Sequence, residues 1–219
     1  MSFNFVHELL FRLSKRTPKP ASFERIRIRI LSKWLLNKKD GSCSIIAFTS
    51  RLPREGVSTV VAGLARSFSK AEVGKILVLD VSNRRYGVSR LLNITTLAGF
   101  SDLPGYVTRD EKLDIDVITL ADDTHSGIGA GQHTITLKER LLDKYNIILV
   151  DAGPLSSASG AYWLANSDYN VLVIDSTKTT RESLEYQQKE FENSNITIDG
   201  SILNKREFPI PDFLYWLAR

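Results

Sequence analysis

The pattern of apolar and polar residues changes near residue 43. Beyond it, short apolar runs alternate with stretches in which apolar residues recur every three or four positions. Runs such as Ile147-Ile148-Leu149-Val150 contain no polar residue, which is typical of strands buried on both faces of a parallel sheet. The pattern predicts a doubly wound, mostly parallel α/β sheet flanked by helices, with ligands bound beyond the carboxyl ends of the strands. The predicted strands are Ser44–Thr49, Lys75–Asp80, Ile115–Leu120, Asn146–Asp151, Asn170–Asp175 and Ile196–Leu203, and the predicted helices are Ser58–Lys70, Gly87–Leu92, Ile135–Lys144, Ala158–Asn166 and Thr180–Glu192.

Before residue 40 the pattern predicts two further helices. The first lies within residues 1–17, where apolar residues stand at helical spacing opposite cations, and Pro18 and Pro20 would end it. The second covers residues 24–36, where a strand-like alternation competes with a helical stripe; the length of the stretch favours a helix. The apolar residues of the first helix are Val6, Leu9, Leu10 and Leu13, and those of the second stripe are Phe23, Ile26, Ile30 and Trp34.

Composition indicates one domain with extensions. The chain has 219 residues, of which 42% are hydrophobic and 25% charged, as in proteins that bury one sizeable core. The single cysteine, Cys43, excludes an intramolecular disulfide framework and a cysteine-based zinc site and fits a reducing cytoplasm. We found no long apolar span and no signal-peptide pattern, so we expect a chain that is neither exported nor membrane-spanning. The predicted units are an N-terminal extension (1–40), an α/β domain (41–206) and a C-terminal tail (207–219).

Charge is divided unevenly between these units. Residues 1–40 carry ten Lys/Arg against three acids, which is +7, so the remainder carries −3 of the net +4. This division indicates an anionic partner for the N-terminal arm, either a lipid headgroup surface, nucleic acid or an acidic protein, unless the arm is only a solvated basic segment. The tail places Phe213, Leu214, Trp216 and Leu217 close together. We expect it to contact a partner or a membrane, the alternative being that it packs back on the domain.

Candidate chemistry begins at the loop after the first strand of the α/β domain. A strand, a tight loop containing Gly56, and then Ser58 at the start of a helix form a context in which backbone N–H groups cradle phosphate. In such a loop glycine allows close backbone approach and the hydroxyl binds Mg²⁺. A complete loop would have lysine at Val57, and its absence removes the cation that reaches the β- and γ-phosphates. The alternative is an ordinary turn at Gly56 with Ser58 capping a helix.

Two aspartates end predicted strands and extend this candidate site. Asp80 and Asp151 each follow an apolar run, where a Mg²⁺ ligand or a water-orienting acid must sit beside a phosphate loop. They are therefore the candidate catalytic residues, and together with Ser58 the candidate metal ligands, although each could simply cap a turn. Asp175 also ends a strand, but because nothing after it resembles a nucleotide motif we assign it a structural role.

Several stretches match one family in order and spacing over roughly residues 20 to 206. They are Thr49-Ser50 through Gly56-Val57-Ser58-Thr59 (family T-S-x-x-P-G-E-G-K-S-T), residues 77–85 (L-L-I-D-A-D-L-R-R), residues 99–103 (G-L-S-D-L-L), residues 145–154 (Y-D-Y-V-I-I-D-T-P-P), residues 178–184 (G-x-T-x-x-x-x-L) and residues 202–204 (V-L-N). The chain thus resembles the cytoplasmic kinase domain of bacterial tyrosine kinases of capsular and exopolysaccharide systems, the Wzc/CpsD/CapB-like family. That family belongs to the deviant P-loop class, which also contains the ParA and MinD ATPases.

The resemblance implies a nucleotide site for ATP or ADP with Mg²⁺, and this chain departs from it at several positions. Val57 stands at the family's lysine, Arg54 at a glycine, and Ser82 at a second metal-binding aspartate. The family's E-x-x-R-x-x-R oligomerisation motif corresponds to Ala21–Arg27, where only the final arginine remains, and the C-terminal tyrosine cluster is reduced to Tyr215. The predicted nucleotide-binding residues are Arg54, Glu55, Gly56, Val57, Ser58 and Thr59.

From these departures we predict a chain that has lost phosphoryl transfer or retains it only weakly, and that acts as a scaffold or regulator of exopolysaccharide assembly and export. The resemblance implies a polysaccharide chain-length regulator or an active kinase relative as partner, at the cytoplasmic face of the inner membrane. It leaves room for homo-oligomers and for lipid contact by the basic arm, and it does not favour nucleic acid. Three alternatives remain: an active enzyme in which Arg51 or Arg54 replaces the lysine, a ParA/MinD-like positioning protein, for which Leu52 stands near the place of the required lysine, and a nucleotide-independent adaptor.

Overall fold

The computed structural model describes residues 10–14, 20–35, 42–82, 87–94, 97–98, 106–110, 113–120, 138–155 and 158–206. The strands are β1 (Leu10–Ser14), β2 (Ser44–Ser50), β3 (Ile76–Asp80), β4 (Leu97–Ala98), β5 (Tyr106–Asp110), β6 (Ile115–Thr119), β7 (Ile147–Pro154), β8 (Tyr169–Asp175) and β9 (Gly200–Arg206). The helices are α1 (Pro20–Ile30), continued by a π-helical turn (Leu31–Leu35), α2 (Val57–Ser69), α3 (Gly87–Leu92), α4 (Ala158–Ala165) and α5 (Arg181–Asn193). Residues 138–142 are also helical.

The strands of the described chain form one sheet in the order β1-β9-β8-β2-β7-β3-β6-β5-β4. Every pair from β1 to β6 in this order is parallel, and β5 and β4 continue the sheet antiparallel. The predicted doubly wound, mostly parallel fold is confirmed. Because β2 lies between β7 and β8, the loop that follows β2 lies near the carboxyl ends of both neighbours.

Strands buried on both faces divide the core into two layers. Ile46 and Phe48 of β2 pack in the layer that contains α1 and α2, whereas Ile45 and Ala47 pack in the layer that contains Trp163 of α4. All seven residues of β2 are buried. The continuous apolar runs in the sequence therefore reflect helices on both faces of the sheet.

Helix α1 packs on α2 through a close aromatic contact and a hydrogen bond. Phe23 lies over Gly63, where an added Cβ would stand 2.3 Å from Phe23 Cζ, so a larger residue at position 63 would displace the ring. Arg27 Nη1 donates to the carbonyl of Ser67 at 2.6 Å. Pro20 is the first residue of α1, where its missing N–H costs nothing. The helical interpretation of this segment is confirmed, and its remaining motif arginine makes a contact within the chain.

The predicted helix within residues 1–17 is wrong at Leu10–Ser14, which form a strand parallel to β9. Leu10 pairs in register with Ser201, so the segment extends the sheet beyond β9. Apolar spacing over so short a segment does not separate helix from strand, and pairing with a long-range partner decides between them. The rest of residues 1–17, and the predicted aromatic tail 207–219, lie outside the described residues.

The other predicted elements are present among the described residues, with some shifted boundaries. Strand β7 ends at Pro154 rather than Asp151, and residues 135–137 of the predicted helix Ile135–Lys144 lie outside the described residues. The last strand begins at Gly200 rather than Ile196, because Asn195 adopts a left-handed φ of 52° and Ile196 N–H still donates to Phe191 O of α5. The short strands β4 and β5 were not predicted. Within the part of the chain that the structure describes, no helix is both long and apolar enough to cross a membrane.

Candidate phosphate-binding site

A cavity of about 540 Å³ opens at the carboxyl ends of the central strands. One wall is the loop of residues 51–56 with the start of α2, and the others come from the ends of β3, β7 and β9 and from α3. Residues that line it include Arg54, Ser58, Thr59, Arg90, Asp151 and Lys205. This is the edge of the sheet at which doubly wound folds bind ligands.

The loop turns into α2 through two left-handed residues. Gly56 has φ 103° and precedes Val57, the first residue of the helix, and its carbonyl accepts from Val60 N–H at 3.0 Å. A Cβ at Gly56 would lie 2.1 Å from Asn204 Nδ2, so both conformation and space require glycine. Arg54, at the position of a family glycine, also has a left-handed φ of 69°, which costs a residue with a Cβ about 1 kcal/mol. Its side chain is exposed.

The buried residue Glu55 stabilises the loop through hydrogen bonds. The residue is only 4% exposed, and its carboxylate accepts from Leu52 N–H at 3.0 Å and from the Thr179 hydroxyl at 2.9 Å. Its carbonyl accepts from Asn204 Nδ2 at 2.8 Å. These hydrogen bonds within the chain hold the shape of the loop, and they engage one of its backbone N–H groups, that of Leu52.

Asp151 and Ser58 meet at the base of the cavity. Asp151 is fully buried, its Oδ2 accepts from Ser58 Oγ at 2.5 Å, and its Oδ1 accepts from Gly153 N–H at 3.1 Å. A hydroxyl and a carboxylate are hard oxygen donors of the kind that hold Mg²⁺, which usually takes its remaining ligands from phosphates and water. The donor set therefore fits the ion that the resemblance implies, with Ser58 and Asp151 as ligands. Among the described residues no group of three or more His, Cys, Asp or Glu side chains adds to it.

Asp80 lies beside Asp151, since the two residues are in register on β3 and β7. Asp80 is 1% exposed, and its Oδ1 accepts from both the N–H (3.1 Å) and the hydroxyl (2.7 Å) of Ser82. Its Oδ2 accepts from Val88 N–H of α3 at 3.2 Å. The structure therefore brings the two predicted carboxylates together but engages Asp80 with Ser82 and the start of α3.

The sequence analysis missed Lys205. Its Nζ donates to Asp175 Oδ2 at 2.7 Å and to the carbonyl of Arg54 in the loop at 2.6 Å. Asp175 is fully buried and also accepts from the N–H and hydroxyl of Thr177. Burial by itself raises the pKa of Asp175, but the hydrogen bonds from Lys205 and Thr177 outweigh it and hold the pKa below its ordinary value. A signal was available: Lys205 follows Asn204 near the end of a strand that points to this edge.

Comparison with known proteins agrees with the fold. No family model matches the chain. A curated relative, the putative tyrosine-protein kinase CapB of Staphylococcus aureus, is 24% identical over 198 residues, 86% of either chain. Among solved structures, the chimeric protein CapA2B2 superposes with a TM-score of 0.71 (19% identity, 91% of this chain and 95% of that one). The kinase domain of Escherichia coli tyrosine kinase ETK gives 0.65 (18%, 88% and 79%). The resemblance to bacterial tyrosine kinase domains is confirmed.

The same fold occurs in a protein whose structure holds a nucleotide. A plasmid partition protein of Borrelia burgdorferi bound to AMPPNP matches this kinase-like chain with a TM-score of 0.56 (17% identity, 80% of this chain and 81% of that one). At these identities the structural matches establish the shared fold.

The kinase-like domain has an aliphatic side chain at the position of the loop lysine. Val57 is 6% exposed and belongs to the core layer that contains α2. Thr59 is exposed and lines the cavity, as does Arg54. The predicted nucleotide-binding residues therefore surround one cavity, but position 57 contributes packing instead of a positive charge.

Proposed function

We propose that this kinase-like protein acts in capsular or exopolysaccharide assembly as a scaffold or regulator, with phosphoryl transfer lost or strongly impaired. The observation that carries the proposal is the buried Val57 at the first position of α2. A mobile ammonium at this point stabilises charge on the transferred phosphoryl group. Loss of one preorganised stabilising group of this kind typically lowers the rate by a factor of about 10²–10³.

The surroundings of Asp80 support the same proposal. The family that the chain resembles carries a second acidic metal ligand at the position of Ser82. In this chain the Ser82 hydroxyl donates to Asp80 instead. That hydrogen bond engages Asp80 Oδ1 within the chain. Of the three predicted metal ligands, Ser58 and Asp151 remain paired at the cavity, and Asp80 serves the turn into α3.

The proposed partner is a polysaccharide co-polymerase or a related kinase at the cytoplasmic face of the membrane. The family resemblance and the similarity to CapB and to the chimera CapA2B2 support this choice. In α1, Ile28 is 55% exposed among basic residues, which suits an acidic protein or lipid surface. Arg27 of the degenerate oligomerisation motif instead binds Ser67 within the chain, so the proposal does not rely on that motif for self-association.

Two measurements on one pair of proteins test the scaffold proposal. Purified wild type and the isosteric variant D151N are incubated with Mg-ATP labelled on the γ-phosphate, and transfer to the protein and to a tyrosine-containing polymer is measured. We expect no transfer above the D151N background. In a strain that lacks the gene, both proteins should restore polysaccharide to the same level. Transfer by the wild type, together with failure of folded D151N to restore polysaccharide, would overturn the proposal.

A second candidate function is an active ATP-dependent enzyme in which Arg54 supplies the missing charge. The observation that favours it is the position of Arg54, which lines the cavity at the turn into α2. Guanidinium groups bind phosphate bidentately, so the substitution is chemically sound. Micromolar Mg-ATP binding and phosphoryl transfer that both disappear in R54A would select this function over the scaffold.

A further inference from the structure

We propose that Lys205 is the cation that binds phosphate groups in this cavity, reaching the loop from β9 instead of from position 57. The inference rests on the cavity being a phosphate site and does not depend on whether phosphoryl transfer is lost. The ligand class is a nucleoside diphosphate or triphosphate, or another compound that carries linked phosphates.

The backbone of β9 directs Lys205 to the loop. Lys205 has a left-handed φ of 55° near the end of the strand, and its side chain is 29% exposed. Nζ lies 2.6 Å from the carbonyl of Arg54, and the residue lines the same cavity as Ser58 and Thr59. The ammonium is thus in direct contact with the loop whose own lysine position is a buried valine.

The ammonium can bind an anion without giving up its present contacts. A lysine has three N–H donors, and Asp175 and the Arg54 carbonyl account for two. Asp175 lies deeper, with its side chain 1% exposed against 29% for Lys205, and Lys205 lines the cavity, so the carboxylate anchors the lysine from the buried side. A lysine held in this way is a preorganised point charge of the kind that phosphate sites use.

The rest of the cavity suits a phosphate ligand. Thr59, which carries a hydroxyl, and Arg54 and Arg90, which carry guanidinium groups, line it and bring hydrogen-bond donors. A volume of about 540 Å³ is within the range of small-ligand sites, about 300–1,000 Å³. The carboxylates at or beside the cavity are engaged within the chain: Glu55 accepts from Leu52 N–H and Thr179, Asp151 accepts from Ser58, and Asp175 is paired with Lys205 itself.

The test compares variants that change charge at Lys205 and Asp175 together. K205M alone would leave Asp175 buried without its cation, so the informative pair is D175N, which removes the negative charge beside the ammonium, and K205M/D175N, which removes both charges. The exposed Lys178, outside the residues that line the cavity, provides K178M as a control for the loss of one positive charge. Binding of Mg-ADP and of sodium triphosphate is measured by calorimetry, with urea unfolding to show that each variant is folded.

We expect D175N to bind both probes at least as tightly as the wild type, because it removes a buried negative charge beside the ammonium. We expect K205M/D175N to bind at least about tenfold more weakly than D175N, with K178M within twofold of the wild type. Equal affinity of D175N and K205M/D175N, or no binding of either probe to D175N, would overturn the inference. Dependence on Lys205 for ADP but not for triphosphate would also overturn it, because the proposed contact is to phosphate. The phosphoryl-transfer measurement is separate, so either proposal can fail without the other.

Discussion

Asp151 of β7 and Asp175, the last residue of β8, lie in the two strands on either side of β2, and the chain holds them in nearly the same way. Both are fully buried, and each accepts at Oδ1, at 3.1 Å, from the backbone N–H two residues further on. They differ at the other oxygen, where Asp151 accepts from the Ser58 hydroxyl and Asp175 from the Lys205 ammonium. Both aspartates thus accept the same backbone hydrogen bond at one oxygen. At the other oxygen Asp151 accepts from a neutral hydroxyl, whereas Asp175 fixes an ammonium.

Asp80, the last residue of β3, extends the comparison to a third strand. It also accepts at 3.1 Å from the N–H two residues on, that of Ser82, while its second oxygen accepts from Val88 N–H at the start of α3. An aspartate at the end of a buried strand is thus explained by turn formation alone, since such side chains satisfy the backbone where the strand stops. The three aspartates therefore differ in the partner of the second carboxylate oxygen.

The largest expected effect comes from breaking the Asp175 ion pair. K205M leaves a fully buried carboxylate without its cation, and because Lys205 is itself partly exposed we expect a loss of about 2–3 kcal/mol in the free energy of unfolding. K205M/D175N should recover most of this loss, and K178M should stay within about 0.5 kcal/mol of the wild type. Urea unfolding at pH 7 measures all three. Equal stability of K205M and K178M would contradict the structural importance of the pair.

Next in size is the restoration of an aspartate beside Asp80. Ser82 is 7% exposed, its Cβ lies 3.1 Å from the place of a Cβ on Gly153, and S82D would set a second carboxylate against Asp80. Crowding, charge repulsion and loss of the hydroxyl donor should cost about 2 kcal/mol. The matched variant S82A loses only the donor and should cost about 1 kcal/mol. Equal stability of S82D and S82A in thermal and urea unfolding would show that a second carboxylate fits beside Asp80 without cost.

Removing the hydrogen-bond partner of Asp151 should cost less stability, because that partner is a neutral hydroxyl. S58A removes the 2.5 Å hydrogen bond and should lower the free energy of unfolding by about 1 kcal/mol. T59A, at the adjacent exposed hydroxyl, serves as the control and should change stability by less than about 0.5 kcal/mol. Urea unfolding of both variants side by side checks this, and a larger effect in T59A would reverse the assignment of Ser58 as the partner of Asp151.

The smallest expected effect is the dependence of stability on pH in acid. The pKa of Asp175 is lowered in the folded chain, so the ionised carboxylate stabilises the fold fully above its unfolded pKa, ordinarily 3.8. That contribution is lost as pH falls from there through the folded pKa. Urea unfolding between pH 5 and pH 2 should therefore show a steeper loss of stability in the wild type than in K205M/D175N. Parallel curves for the two proteins would show that Asp175 does not titrate with a lowered pKa.

Prediction from sequence succeeded where a local pattern reports burial. The fully apolar runs of β2, β3 and β7 identified central parallel strands, because only helices on both faces of a sheet remove polar residues from a strand. It failed at Leu10–Ser14, where five residues have no decisive period and the edge of β9 determines the conformation. The shift of β9 toward Gly200 has a similar origin, since the turn after α5 keeps Ile196 bonded to Phe191.

At the site, the sequence by itself determined which chemical groups were available. A strand, Gly56, Ser58 and two aspartates after apolar runs were sufficient to predict a phosphate-type loop at one edge of a parallel sheet, with Val57 where such a loop has lysine. It assigned Asp175 only a structural role and left Lys205 unnoticed, because residue 205 is 151 positions from the loop carbonyl that it contacts. Only the tertiary structure decided which cation meets the loop. Hydrogen bonds and ion pairs act over a few ångströms of space, and the order of strands in the sheet, rather than the order of residues in the chain, sets those distances.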